Sequence, residues 1–184
     1  MKRIGLFLAS MFLVFAFACT SKTEEKPAEE ASTQAATFAT ADEMVEAALK
    51  NVTQITAKEV KAKMDAEEGF LLIDVRDADE FNAEFIPSAV NISRGLLEFR
   101  IDNKEFWDAE QSTPPTKEEL IIVYCKKGHR GILAAQALQQ MGFTNVKTIE
   151  GGFLKWKEAF PEDVEVGVVA PTGGAVTKSS GGGC

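Results

Sequence analysis

Leu120-Ile121-Ile122-Val123-Tyr124, running directly into Cys125-Lys126-Lys127-Gly128-His129-Arg130, is the stretch that decides the fold. The first five residues are apolar and β-branched or aromatic, the composition of a strand buried on both faces. The pattern after Arg130 has helical periodicity as far as Met141, and Gly142 stands where a helix terminator belongs. Strand, short loop, helix is therefore the expected order. A loop in that position lies at the carboxyl end of a strand, where open α/β sheets keep their ligand crevices. Backbone N–H groups and a helix N-terminus there form a partly positive bed for an anion. A thiolate, the reactive form of cysteine, is favoured by helix N-termini and neighbouring cations, so Cys125 is read as a nucleophile and not as a small buried hydrophobe. Gly128 suits a loop needing unusual φ or close backbone approach, and Lys126, Lys127 and Arg130 cluster positive charge beside one thiol.

Outward from this loop the chain alternates between the two periods. Phe70 to Val75 is another continuous apolar run, Ala89 to Ile92 and Asn145 to Ile149 read as strands, and Val52 to Ile55 as a short edge strand. Between them, Thr40 with Glu43 and Thr56 with Glu59 form capping-box patterns, the second helix running to about Ala66 with Gly69 closing the connection. Asp77 with Glu80 is expected to cap a brief helix that ends before Pro87. Leu96 to Trp107 reads as helical or irregular, Thr113-Pro114-Pro115 as loop, Gly151-Gly152 as a turn, and Phe153 to Phe160 as a helix stopped by Pro161. Strands alternating with helices imply an α/β fold, a mostly parallel central sheet with helices on both faces.

The 184 residues suit one domain with tails, and 45% hydrophobic with 26% charged residues is ordinary for a globular chain. A net charge of −8 argues against nucleic acid as a partner. Met1-Lys2-Arg3 before the apolar run Ile4 to Phe17 has the form of a secretory signal, too short for a membrane span. Ala16-Phe17-Ala18-Cys19 resembles the lipobox of bacterial lipoproteins, although that family favours Leu at the position of Ala16. The resemblance implies export, lipidation of Cys19, and a chain held at the periplasmic side of a membrane. Residues 1–18 are thus expected to be a signal peptide, 19–39 a flexible linker, 40–163 the folded domain and 164–184 a flexible Gly-rich tail.

Leu72-Ile73-Asp74-Val75-Arg76-Asp77, Glu80-Phe81 and Ile86-Pro87-Ser88-Ala89-Val90-Asn91-Ile92 resemble the first signature of rhodanese domains. Cys125 to Arg130 resembles their active-site loop, and Gly142-Phe143 through Gly151-Gly152-Phe153-Leu154-Lys155-Trp156 their closing segment. Phe85 departs from the family, which commonly has His there. The resemblance covers about residues 52–161 and implies a sulfurtransferase. Cys125 would take a sulfane sulfur from a small-molecule donor such as thiosulfate and pass it to cyanide or a thiol, with no cofactor. Cys125 and Arg130 are then the catalytic residues, and Lys126, Lys127, Gly128 and His129 the substrate-binding loop.

Within that loop, Arg130 either fixes the backbone or meets donor oxygens bidentately, and Lys126 and Lys127 either steer an anionic donor or are merely solvated. His129, the chain's one histidine, is expected to face solvent, which leaves a cysteine hydrolase or a zinc site hard to assemble. Asp74 and Arg76 are read as structural ion-pairing residues, Arg76 with Glu80. Two alternatives stay open. One is a non-catalytic binding module. The other is a phosphatase or arsenate reductase of the same fold, whose loop is one residue longer than the four between Cys125 and Arg130. Cys184, closing Gly181-Gly182-Gly183-Cys184, is either incidental or returns to resolve a Cys125 persulfide.

Overall fold

The computed structural model describes residues 36–167. Cys19, Cys184, the signal and most of the linker and tail lie outside them. Five strands form one fully parallel sheet: β1 (Thr53–Ile55), β2 (Leu71–Asp74), β3 (Val90–Asn91), β4 (Ile121–Tyr124) and β5 (Val146–Ile149), in the order β1-β5-β4-β2-β3. The helices are α1 (Ala41–Leu49), α2 (Ala57–Asp65), α3 (Ala78–Ala83), α4 (Leu97–Arg100), α5 (Lys104–Ala109), α6 (His129–Gln140) and α7 (Gly152–Ala159), with a 3₁₀ turn at Arg94–Leu96.

Alternation along the central strands divides the core into two layers. Ile73, Ile121 and Val123 point to one face, where they meet Val45 and Ala48 of α1, Leu97, Ile101, Trp107, and Ile132, Ala135 and Leu138 of α6. Leu72, Ile122 and Tyr124 point to the other, against Ala57 and Val60 of α2 and Phe153 and Trp156 of α7. A strand covered on both sides has no polar face to offer, which is why these runs read as uninterrupted hydrophobics.

Strand order also fixes where the crevice opens. From β2 the chain moves outward to β3, then returns across β2 to β4 and continues the other way to β5. The carboxyl ends of β2 and β4 are thus neighbours, paired at Asp74 and Tyr124, with their connections diverging. This is the switch point at which open α/β sheets bind ligands.

Several local expectations are met only in part, although Thr40 does cap α1 by accepting the Glu43 N–H at 3.2 Å. Glu59 and Thr56 complete a capping box, whereas Glu43 accepts from the Ala39 N–H and not from Thr40. Asp77 occupies the N-cap of α3 without a side-chain cap bond, and Glu80 is drawn away to Arg130. After α2 the left-handed residue is Glu67, with φ 53°, and not Gly69. Gly142, with φ 89°, does terminate α6 as expected. The chain also stays attached beyond Asp163, where the tail was expected to begin. Phe85 and Glu165 exchange N–H to carbonyl bonds of 2.7 and 2.9 Å, and the Gly167 N–H donates to Asn82 at 3.0 Å. Phe85 also stacks on Phe81, with ring centroids 4.3 Å apart, so this departure from the expected His is absorbed by apolar packing.

Candidate active site

Cys125 leaves β4 with its side chain on the α6 side of the sheet, and only 2% of the residue is exposed. It lies at the floor of a recess of about 210 Å³ lined by Lys126, Lys127, His129 and Arg130. Gly128 occupies the N-cap of α6 with φ 104°, a conformation that side chains resist. That twist aims the Gly128 N–H at Cys125 Sγ, 3.2 Å away. Of the cradle expected from Lys126 to Arg130, this is the one N–H bonded to sulfur.

A second element holds the loop from behind. The first turn of α7 has N–H groups with no partner inside the helix, and those of Phe153 and Leu154 donate to the carbonyls of Cys125 and Lys126 at 2.7 and 3.1 Å. Because peptide units are planar and trans, the N–H groups of Lys126 and Lys127 must point away from α7. The Gly151-Gly152 pair makes this docking possible, since both residues have positive φ. A Cβ on Gly152 would fall inside van der Waals contact of the Cys125 carbonyl oxygen. Sequence reasoning treats the pair as a turn and misses that Gly152 is part of the loop's support.

Under the loop, Asp74 and Arg76 form a buried pair, with guanidinium to carboxylate distances of 2.5–3.0 Å. Arg76 also donates to the Glu84 carbonyl at 2.7 Å, and its guanidinium lies 4.2 Å from the centre of the Phe153 ring. The structural reading of both residues holds, but the partner of Arg76 is Asp74 and not Glu80. Tyr124, with its hydroxyl accepting from the Ile86 N–H at 3.1 Å, ties β4 to the β2–β3 connection. Burial, followed by the nearby Asp74 charge, pushes its phenol far above the ordinary range, so it stays neutral.

The charged side chains divide sharply. Arg130 donates to Glu80 at 2.7 Å and lies 3.6 Å from Asp77. Partial burial works to raise Glu80, but the Arg130 hydrogen bond and charge prevail and hold it below the usual carboxylate range. Among the described residues, neither Lys126 nor Lys127 has a carboxylate within ion-pair distance, and both are exposed. His129 is exposed too, as expected. Of the predicted residues, Cys125, Lys126, Lys127, His129 and Arg130 line one recess, and Gly128 shapes it.

Gly131 gives the site a tight seat. It lies inside α6, where glycine is unfavourable by about 0.5–1 kcal/mol relative to alanine, so a packing reason is needed. A Cβ there would come within 2.5 Å of Thr148 Oγ1 and 3.6 Å of the Cys125 N. Thr148 is fully buried on β5, and its hydroxyl has no hydrogen-bond partner among the described residues. Gly131→Ala is expected to push the start of α6 off β5 and misplace the Gly128 N–H, lowering kcat about 10- to 100-fold. Thr148→Ala forfeits no hydrogen bond, so the double variant should recover to within several-fold of wild type. Turnover of the two single variants and the double variant checks this, and an unrecovered double variant would remove the Thr148 contact from the explanation.

The family profile for the rhodanese-like domain matches residues 56–159. "Putative thiosulfate sulfurtransferase, mitochondrial" of Schizosaccharomyces pombe is 31% identical over 90 residues, which are 48% of this chain and 63% of that protein, less than two thirds of its length. Thiosulfate sulfurtransferase GlpE of Coxiella burnetii is 31% identical over 112 residues, 61% of this chain and 91% of that one. Among solved structures, a Rhodopseudomonas palustris protein of unknown function, described as a possible tyrosine phosphatase, superposes with a TM-score of 0.57 at 29% identity, covering 68% of this chain and 95% of its own. The human single-domain sulfurtransferase TSTD1 superposes with a TM-score of 0.54 at 25% identity, covering 59% and 97%. A profile match across more than half the chain, centred on the parallel sheet and the cysteine loop, is decisive: this chain belongs to the rhodanese-like domain family.

Proposed function

We propose that this chain is a sulfurtransferase that carries sulfane sulfur on Cys125, taking it from an anionic donor such as thiosulfate. The observation that carries the reading is the thiol in a short recess, its Sγ already accepting the Gly128 N–H, beside two lysines that have no carboxylate partner among the described residues. The Cys125 thiolate attacks the outer sulfur of thiosulfate. The S–S bond of the donor breaks, its electron pair leaves with sulfite, and a Cys125 persulfide forms. Cyanide or a thiolate then attacks the outer sulfur and the Cys125 thiolate departs, so the cycle needs no cofactor. In each half-reaction the thiolate charge is lost or regained at Cys125 Sγ within reach of the Gly128 N–H, a preorganised donor of the kind electrostatic catalysis uses.

The R. palustris neighbour gives phosphoryl transfer a specific claim as a second reading. Four residues separate Cys125 from Arg130, one fewer than in the phosphatases of this fold, and that loop length favours sulfur. Purified protein given thiosulfate and cyanide should release thiocyanate and leave a phosphoester uncleaved. The reverse result would move the chain to phosphoryl chemistry, and inactivity in both assays would make it a binding module.

Export and attachment to the membrane through lipid on Cys19 are part of the same proposal and rest on the Met1 to Cys19 pattern. Intact mass of protein recovered from its native host should begin at Cys19 with added lipid. A chain retaining Met1, or one beginning at an unmodified Cys19, would exclude the anchor.

A further inference from the structure

The recess above Cys125 contains three cations in sequence but not in effect. Arg130, at its edge, donates to Glu80 at 2.7 Å and lies 3.6 Å from Asp77. Glu80 is supplied by α3 across the switch-point crevice, from 50 residues away in sequence. Its side chain is 28% exposed and lines an adjoining recess that shares Lys126 with the cysteine recess. Lys126 and Lys127 are exposed and lack such partners among the described residues. An arriving anion therefore meets two exposed ammonium groups, while the guanidinium best suited to bind it in a fork is already hydrogen-bonded to a carboxylate.

We propose that Glu80 sets the charge selectivity of the site: its carboxylate occupies Arg130 in place of an anionic substrate, which leaves anion recognition to Lys126 and Lys127. This rests on Cys125 being the reacting thiol and goes beyond the sulfurtransferase reading, because it assigns a specificity role to a residue outside the cysteine loop. It reverses the expectation that Arg130 meets the donor. Removing the carboxylate charge, with an amide of the same shape, releases Arg130 to the recess and deletes one negative charge from its rim. At separations of several ångströms near a protein surface, one unit charge changes anion affinity roughly three- to tenfold.

The test uses alkylation of Cys125 by two reagents of similar size, neutral iodoacetamide and anionic iodoacetate, in the folded full chain. The ratio of the two rates cancels changes in thiol reactivity and reports the charge felt at the sulfur. Peptide mapping assigns the rates to Cys125, because the sequence also contains Cys19 and Cys184. Glu80→Gln is expected to raise the iodoacetate to iodoacetamide ratio about three- to tenfold, and Lys126→Gln with Lys127→Gln to lower it by a similar factor. Asp77→Asn, at a side chain 79% exposed, should raise the ratio less than Glu80→Gln does. Glu80→Asp keeps the charge and should leave the ratio near wild type even if the pair is loosened, which separates charge from packing. An unchanged or lowered ratio in Glu80→Gln, with a normal circular dichroism spectrum, would overturn the proposal. An unfolded Glu80→Gln variant, together with no decrease on removing both lysines, would also overturn it. Because alkylation needs no sulfur donor, a raised ratio in a protein inactive toward thiosulfate would sustain the role of Glu80 and reject the sulfurtransferase reading instead.

Discussion

Cys125→Ser is expected to lower sulfur transfer from thiosulfate to cyanide by about 10³-fold or more while leaving the protein folded. Sulfur transfer needs a nucleophile that forms a stable bond to a second sulfur and leaves again readily, and a serine oxygen does neither. The structural cost is small because the exchange is nearly isosteric. Serine Oγ still accepts the Gly128 N–H that now reaches Sγ at 3.2 Å. The residue is 2% exposed and packs beside Val123 and Ile132, so added polarity should cost no more than about 1–2 kcal/mol. Thiocyanate release and thermal melting on the same preparation check both halves. Retained turnover would require a different sulfur carrier, whereas a collapsed melting transition would make Cys125 a core residue first.

The parts of this site that were legible in the sequence are those built by neighbours along the chain. Ile121 to Tyr124 reads as a two-faced strand because β2 and β5 flank it and helices cover both faces, and no competing pattern fits. Gly128 follows Cys125 at the distance where a loop must turn into a helix, and its φ of 104° meets that need. What could not be read is whatever the sheet brings together from a distance. Asp77 and Glu80 match a capping box by spacing, yet that gain of order 1 kcal/mol loses to an arginine 50 positions later. Gly152 looks like any turn glycine until the Cys125 carbonyl is seen against it. Thr148 sits beside Lys147 in a four-residue strand, with nothing in its own sequence context to say that Gly131 rests on it. Arg76 is an intermediate case. Its ion-pairing role was readable, but the choice between Asp74 and Glu80 depended on which carboxylate the fold buried with it.

Arg76→Ala should be the most destabilising single change among the charged residues under the loop, costing about 3–5 kcal/mol. Asp74 is fully buried and the Arg76 side chain is 4% exposed, so truncation strands a carboxylate away from water. It also frees the Glu84 carbonyl that accepts from the guanidinium at 2.7 Å and empties the space over the Phe153 ring. Domains of this size hold about 5–15 kcal/mol in total, so the loss should lower the melting temperature by roughly 10–20 °C. Asp74→Ala together with Arg76→Ala should cost clearly less than the sum of the single changes, because the second removes the unpaired charge left by the first. Denaturant unfolding of the four proteins of that cycle measures the coupling, and strict additivity would show that the pair does not act as a unit. Function should follow stability here. Phe153, over which Arg76 is stacked, donates the N–H that holds the Cys125 carbonyl at 2.7 Å. Folded Arg76→Ala protein, assayed well below its melting temperature, should therefore still lose turnover, because the support behind the cysteine loop has lost its packing on one side.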